Sequence, residues 1–383
     1  MATKERKFST VPLNWKEVYY TNCPMVSANN VDQELGWCRA DFKKIGVDYS
    51  YFRSRRENDF YPHYIHNLDN LIRFGGLYPP IQVHADIRRT RLLGATMVYE
   101  GGCMMVRAED PIFRMQDLKG KKVGLSKSLN TIKNDWWRIH EHLSIMNMLK
   151  VNNMTMDDIE IVEFPYEDDW YDDPKMLEPL INPTDLFVAL DHKRTMAFRP
   201  LETSLLEGKV DAIYSMSNQQ FQHLQEDTGR MKAIEDLSLY PDWTLQVANT
   251  PAVITCTEVM AVEHPELVVT YMKAMIKAGR WANAHKHAAA VILDRQTFYR
   301  DAEDTYQGIK HVDIVPNLSP QNLACVKIGK DFMLEHGYIE NDFDVNEWAA
   351  PEFLEKAAKE LLEEKWQKVT TAKLPEATSL RLG

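Results

Sequence analysis

The chain has 383 residues, 44% hydrophobic and 26% charged, a globular composition long enough for two lobes or domains rather than one core. A formal net charge of -11, from 45 Lys plus Arg against 56 Asp plus Glu, argues against a protein that holds nucleic acid by neutralising phosphates. The start, "MATKERKFSTVPLNW", has no apolar core or small-residue cleavage site, and no apolar run approaches the roughly 18 residues that span a membrane; a cytoplasmic protein is expected.

The first predicted element is the strand-like run "EVYYTN", which delivers Cys23 directly before Pro24. Proline removes a backbone donor and fixes φ, so the strand stops there with the thiol at its end. As a free cysteine, Cys23 is either a small buried hydrophobe or a reactive group. "ELGWCRADF" reads as helical and carries Cys38. Next comes "YPHYIHNLDNLIRFGGLYPPIQVHADIRRTRLLG", which concentrates His63, His66, Arg73, Gly75 and Gly76. Two readings stand for Arg-Phe-Gly-Gly. Consecutive glycines let backbone N–H groups approach an anion while a guanidinium forks onto two of its oxygens; or the glycines form a plain turn and Arg73 is solvated. His63 is likewise either filling or a group that tunes a thiol and orients water.

"DLKGKKVGLSKSLNTIKNDWWRIHEHLSIMNML" then gives a glycine turn, the strand "KKVGL", a serine-rich turn and a long helix from about Asn130. Trp136 and Trp137 stand at its start, either packing or facing a cleft. A strand "IEIVEF" follows, and the acidic, aromatic segment 164–185 is either a solvated connection or a cleft loop. In "LLEGKVDAIYSM" a helix ends at Gly208 and a buried strand follows, expected to cross back between lobes. "TPAVITCTEVMA" reads as strand, and "HPELVVTYMKAMIKAGRWANAH" as an amphipathic helix with Pro265 in its first turn. Residues 318–365 are mainly helical, with Ser319 and Pro320 as N-cap and N1 and Gly337 as C′; the end, from Thr370, is a loose tail.

Five cysteines without CxxC spacing imply free thiols and no zinc site. His140 and His142, like His285 and His287, are two apart on helices and point to different faces, so they are poor joint ligands. "RFGGLYPP" breaks into prolines where a dinucleotide-binding helix would begin, and no phosphate-binding G-x-x-x-x-G-K-[ST] occurs.

"YTNCP", a histidine ten residues before the arginine of "IRFGGLYPP", "RTRLLG", "EDPIFRMQDLKGKKVGLSKS", "GKVDAIYS", "AGRWANAH" and "EWAAPEFLEKA" run in order from about residue 18 to residue 358. Together they resemble the 2'-hydroxybiphenyl-2-sulfinate desulfinase family, whose enzymes make the last cut in bacterial removal of sulfur from dibenzothiophene. The resemblance implies an α/β, two-lobed, type II periplasmic-binding-protein-like fold with the ligand between lobes. One lobe would be 1–120 plus 219–383, carrying Cys23, His63 and Arg73, and 121–218 would close the cleft. By the same resemblance Cys23 is the active-site cysteine, His63 the active-site histidine and Arg73 the substrate-binding arginine. Gly75 and Gly76 supply backbone contacts to the sulfinate, and Trp137 is a cleft tryptophan.

The implied reaction is hydrolysis of the C–S bond of an aromatic sulfinate to the arene and sulfite, with Cys23 as proton donor or as nucleophile on sulfur. Neither route needs a metal or an organic cofactor. The expected partner is the small-molecule sulfinate alone, with no nucleic acid and no membrane, for a monomer or weak homo-oligomer. A solute-binding protein for a sulfonate or carboxylate, or an aromatic decarboxylase, remains open on the same scaffold. "YIHNLDNLI" and the segment 164–185 depart from the family pattern, which leaves the ring system undetermined.

Overall fold

The computed structural model describes residues 15–52, 61–98, 101–167, 200–215, 228–247 and 250–371. In the first sheet, β1 (Glu17–Asn22) pairs in parallel with β2 (Asp48–Tyr51) on one side and β3 (Leu71–Gly75) on the other. β10 (Ala252–Thr257) runs antiparallel to β3 and to β4 (Thr90–Thr96), giving the order β2-β1-β3-β10-β4. Every residue of β3 and β10 is buried, as in sheets covered on both faces, and Arg73 is the one charged side chain in those two strands.

The second sheet repeats the plan. Its order is β7-β6-β8-β5-β9, from β5 (Cys103–Arg107), β6 (Lys122–Ser128), β7 (Glu160–Tyr166), β8 (Ala212–Ser215) and β9 (Met231–Asp236). β6 is parallel to β7 and β8, and β5 is antiparallel to β8 and β9. In each sheet the antiparallel strand is the first one reached after the chain crosses from the other sheet. The expected α/β architecture with two sheets is thus present.

The crossings lie between β4 and β5 and between β9 and β10. Residues 103–107 and 231–236, assigned from sequence to the first lobe, therefore belong to the second sheet, which extends beyond 121–218 on both sides. The strand at 212–215 does not cross back; its backbone is paired to β5 on one side and β6 on the other. Sheet membership is a long-range pairing, and local pattern carries no trace of it.

Thirteen described α-helices cover the sheets: α1 (Ala28–Leu35), α2 (Trp37–Lys44), α3 (Tyr61–Ile65), α4 (Tyr78–Gln82), α5 (Trp136–Val151), α6 (Pro200–Leu206), α7 (Glu258–Glu263), α8 (Pro265–Ala284), α9 (Lys286–Asp294), α10 (Ala302–Ile309), α11 (Pro320–Glu335), α12 (Val345–Trp348) and α13 (Pro351–Thr371). α8 has proline at its first position and buries Leu267, Val268, Tyr271, Met272 and Met275, the spacing of one helical face, in the first core. Ser319 caps α11 by accepting from the Asn322 N–H, and Gly337 beyond its end has φ 69°. "ELGWCRADF" holds two helices rather than one, because Gly36 at φ 68° turns the chain between α1 and α2.

Three further expectations change. The long helix begins at Trp136, not near Asn130, because Asp135 caps it and side chains compete for the preceding N–H groups: Ser128 Oγ accepts from Asn130 N and Asn130 Oδ1 from Ile132 N. "TEVMA" is not strand, since Thr257 accepts from Met260 N and opens α7. Phe164, Pro165 and Tyr166 extend β7 rather than open a loop; the rest of that segment from 168, and the tail from 372, lie outside the described residues.

Candidate active site

Cys23 and Gly75 stand at the carboxyl ends of adjacent parallel strands, the edge at which open α/β sheets take ligands. Thr21 is in register with Arg73 and Asn22 with Phe74, and the Cys23 N–H donates to the Phe74 carbonyl (3.2 Å). A Cβ on residue 75 would sit 2.5 Å from Cys23 Sγ and 3.2 Å from Arg73 Nη2, so glycine there is what lets thiol and guanidinium share the space. Behind the thiol, Asn30 Nδ2 donates to the Cys23 carbonyl (3.0 Å) while Asn30 Oδ1 accepts from Asn22 Nδ2 (2.7 Å).

The five-residue helix α3 lays His63 across this strand end. His63 Nε2 is 3.3 Å from Cys23 Sγ and 3.4 Å from Arg73 Nη2, and Nδ1 is 2.7 Å from Thr21 Oγ1. A guanidinium only donates, so the nitrogen facing it is the acceptor. The network therefore assigns the ring proton to Nδ1, from which it donates to Thr21, and leaves the Nε2 lone pair toward the thiol. His63 is 4% exposed; burial, then the Arg73 charge, hold it well below the usual imidazole range, so it is neutral at pH 7.

Arg73 is 1% exposed. Its Nε donates to the His63 carbonyl (2.8 Å) and its Nη1 to the Gly76 carbonyl (2.9 Å). Those two bonds brace α3 and the glycine turn and leave Nη2, beside His63 Nε2, as the guanidinium nitrogen with no backbone partner among the described residues. No carboxylate among the described residues forms an ion pair with Arg73. Its neighbour in sequence terms, His66, is not part of the cluster. It is fully buried at φ 49°, Nε2 lies 3.1 Å from Thr255 Oγ1 on β10, and burial pushes its pKa down to about 3.

Cys23 is the partly exposed thiol; the other four are buried, and burial pushes Cys38, Cys103, Cys256 and Cys325 up. Trp137 is 4% exposed within the second sheet's core. Its stacked neighbour Trp136, at 4.2 Å between centroids, is half-buried and touches the cores of both sheets. Trp136, with a buried Nε1 that has no partner among the described residues, is thus the tryptophan at the junction where Trp137 was expected. His140 and His142 turn to different partners, Tyr214 (3.2 Å) and Tyr338 (3.0 Å). Thr21 was missed from sequence, although it lies two residues before Cys23 on a strand and so on the same face. Among the described residues no group of three His, Cys, Asp or Glu is placed to hold a metal ion, and no helix is long and apolar enough to cross a membrane.

No family model matches the chain. It is 26% identical over 364 residues to 2'-hydroxybiphenyl-2-sulfinate desulfinase of Rhodococcus erythropolis, covering 88% of this chain and 92% of that one, which bears out the resemblance read from sequence. Its fold matches the desulfurization enzyme DszB (TM-score 0.68, 24% identity, 90% of this chain and 99% of that one). A cysteine-to-serine mutant of DszB in complex with biphenyl-2-sulfinic acid matches at 0.67, with the same identity and coverage. A putative periplasmic sulfonate-binding protein, SsuA of Methylobacillus flagellatus, matches at 0.62 with 16% identity over 92% of this chain and 97% of that one.

Proposed function

We propose that the chain is a desulfinase that hydrolyses the C–S bond of an aromatic sulfinate, 2'-hydroxybiphenyl-2-sulfinate or a near relative, to the arene and sulfite. One observation carries this reading: Cys23 Sγ and Arg73 Nη2 converge on the same nitrogen of a buried, neutral His63. The sulfinate named for the relatives has the chemistry such a cluster would take, an anion with two oxygens next to a carbon that must gain a proton.

Arg73 Nη2 holds one sulfinate oxygen and the Gly75 and Gly76 backbone the other. The Cys23 thiol gives its proton to the ring carbon bearing sulfur; the C–S electron pair forms the new C–H bond and sulfur dioxide leaves. Water adds to sulfur dioxide to give hydrogen sulfite, and the proton released returns to the Cys23 thiolate, with His63 Nε2 orienting the water that carries it. The alternative, thiolate attack on sulfur, begins by placing a proton on His63 beside the Arg73 charge, the state its depressed pKa disfavours. Proton donation by the thiol is therefore the route favoured. Trp136 rather than Trp137 flanks the ring. Free cysteines throughout the described residues support a reducing compartment, the cytoplasm.

The test is a panel of matched aryl sulfinates and carboxylates with sulfite and carbon dioxide as readouts. Sulfite from sulfinates, lost in Cys23→Ser, is the expected result; carbon dioxide alone makes the protein a decarboxylase. A second reading, a sulfonate-binding protein, is supported by the fold shared with SsuA. Tight sulfonate binding by calorimetry with no product from any substrate would establish it.

A further inference from the structure

We propose that Lys133 is a positioning residue for His63, coupling closure of the cleft to assembly of the Cys23–His63 pair. The inference rests on the reading of that pair as the reacting cluster.

α3 has five residues, too few to hold its shape without outside support. Part of that support comes from the second sheet. Residues 130–134, which lead from β6 into α5, touch α3 at both ends: Asn130 Nδ2 donates to Tyr61 Oη (3.1 Å), and Lys133 Nζ lies 5.2 Å above the Tyr64 ring. The same segment reaches α4, where the Asn134 N–H donates to Gln82 Oε1 (3.1 Å). Lys133 is 4% exposed, uncommon for lysine, and an ammonium on an aromatic face is strengthened by such desolvation. Tyr64 in turn stands edge-on to His63, with centroids 4.9 Å apart and an interplanar angle of 80°. From Lys133 to the catalytic imidazole is thus a single ring.

Two-lobed proteins of this build close by hinging about their crossing segments. In the closed arrangement the Lys133 cation seats on Tyr64, and α3 presents the Nε2 of His63 to the thiol. On opening, α3 loses these second-sheet contacts and keeps those of the first, among them the bonds of His63 to Thr21, Cys23 and Arg73. Lys133 touches no reacting atom; it acts through Tyr64.

The experiment measures kcat and KM for an aryl sulfinate in Lys133→Met, Lys133→Arg, Tyr64→Leu and the double variant Lys133→Met/Tyr64→Leu, with Cys23→Ser as control. Lys133→Met is expected to lower kcat roughly tenfold, within the range of a desolvated cation–π contact, with KM changed less than about threefold. Lys133→Arg, which keeps a cation over the ring, restores most of the rate, and the double variant is no slower than the slower single one. A normal rate in Lys133→Met, an equal loss in Lys133→Arg, or additive losses overturn the proposal. Should Lys133→Met not fold, Lys133→Gln carries the same expectation. Full turnover by Cys23→Ser would instead overturn the reading of the cluster itself, whatever the Lys133 variants do.

Discussion

The Thr21 hydroxyl lies 2.7 Å from Nδ1 of His63, on the side of the imidazole opposite Cys23. That contact fixes which ring nitrogen keeps its lone pair. Thr21→Val is nearly isosteric but leaves a buried Nδ1–H without an acceptor, at a cost of about 1–3 kcal/mol. Turnover should fall roughly tenfold or more as the ring turns or changes tautomer. Thr21→Ser, which keeps the oxygen, should remain near the parent rate. Steady-state kinetics of the two variants checks this, and equal losses in both would remove Thr21 from the assignment.

Cys23→Ser replaces the thiol with a far weaker acid at nearly the same size. A loss of roughly 10²–10⁴ in kcat is expected, the usual contribution of a positioned proton donor. Binding of an inert aryl sulfonate, followed by calorimetry, should change little, because Arg73 and the glycine backbone are intact.

Gly75→Ala separates geometry from chemistry. Its φ demands no glycine, but the added Cβ would lie 2.5 Å from Cys23 Sγ. The thiol turns out of reach of His63, so activity should drop about 100-fold or more, while the fold loses only the ~1–3 kcal/mol of a modest overpacking. Activity and thermal melts on the same preparation distinguish this from simple unfolding.

Acid should destabilise the protein through its buried histidines. His63 is held well below 6.5 and His66 at about 3, so below pH 6.5 the unfolded chain binds protons that the folded chain refuses. Stability is then lost as pH falls from about 6.5 toward 3, by up to ~1.4 kcal/mol per pH unit for each histidine. Denaturation midpoints between pH 7.5 and 5 measure the slope. His66→Asn, which suits the left-handed backbone at φ 49°, should flatten it. The rate, which needs neutral His63, should show no loss at pH 6.5 from that group.

An inert aryl sulfonate should raise the melting temperature, because Arg73 is buried with no carboxylate paired to it among the described residues. At 100 times the dissociation constant the gain is about 2.7 kcal/mol, and Arg73→Met should abolish the shift. A melt insensitive to sulfonate in the parent protein would leave the anion site without support.

A strand end, a proline stop and a double glycine left Cys23, His63 and Arg73 each with a packing or turn alternative, and it was with the resemblance along the chain that they were readable as one site. The junction tryptophan was not: Trp136 and Trp137 are neighbours on a helix whose phase depends on where Asp135 caps it, and a start misread by six residues gives no guide to the inward face. Lys133 was equally hidden, since a lysine in a turn gives no local sign of an aromatic ring from the other sheet. The sheet boundaries failed for a third reason, as β5 and β9 join partners more than 100 residues away in sequence.

The antiparallel fourth strand of each sheet also orders the chain in time. The described second sheet is complete once residue 236 has been synthesised, but the first waits for β10 at 252–257. Until then β3, with Arg73 in its middle, is an unpaired edge beside β1, and the lobe that begins the chain is the last to finish. Nascent chains halted between these points should therefore protect the second sheet from protease while the strand that carries the guanidinium is still open to it.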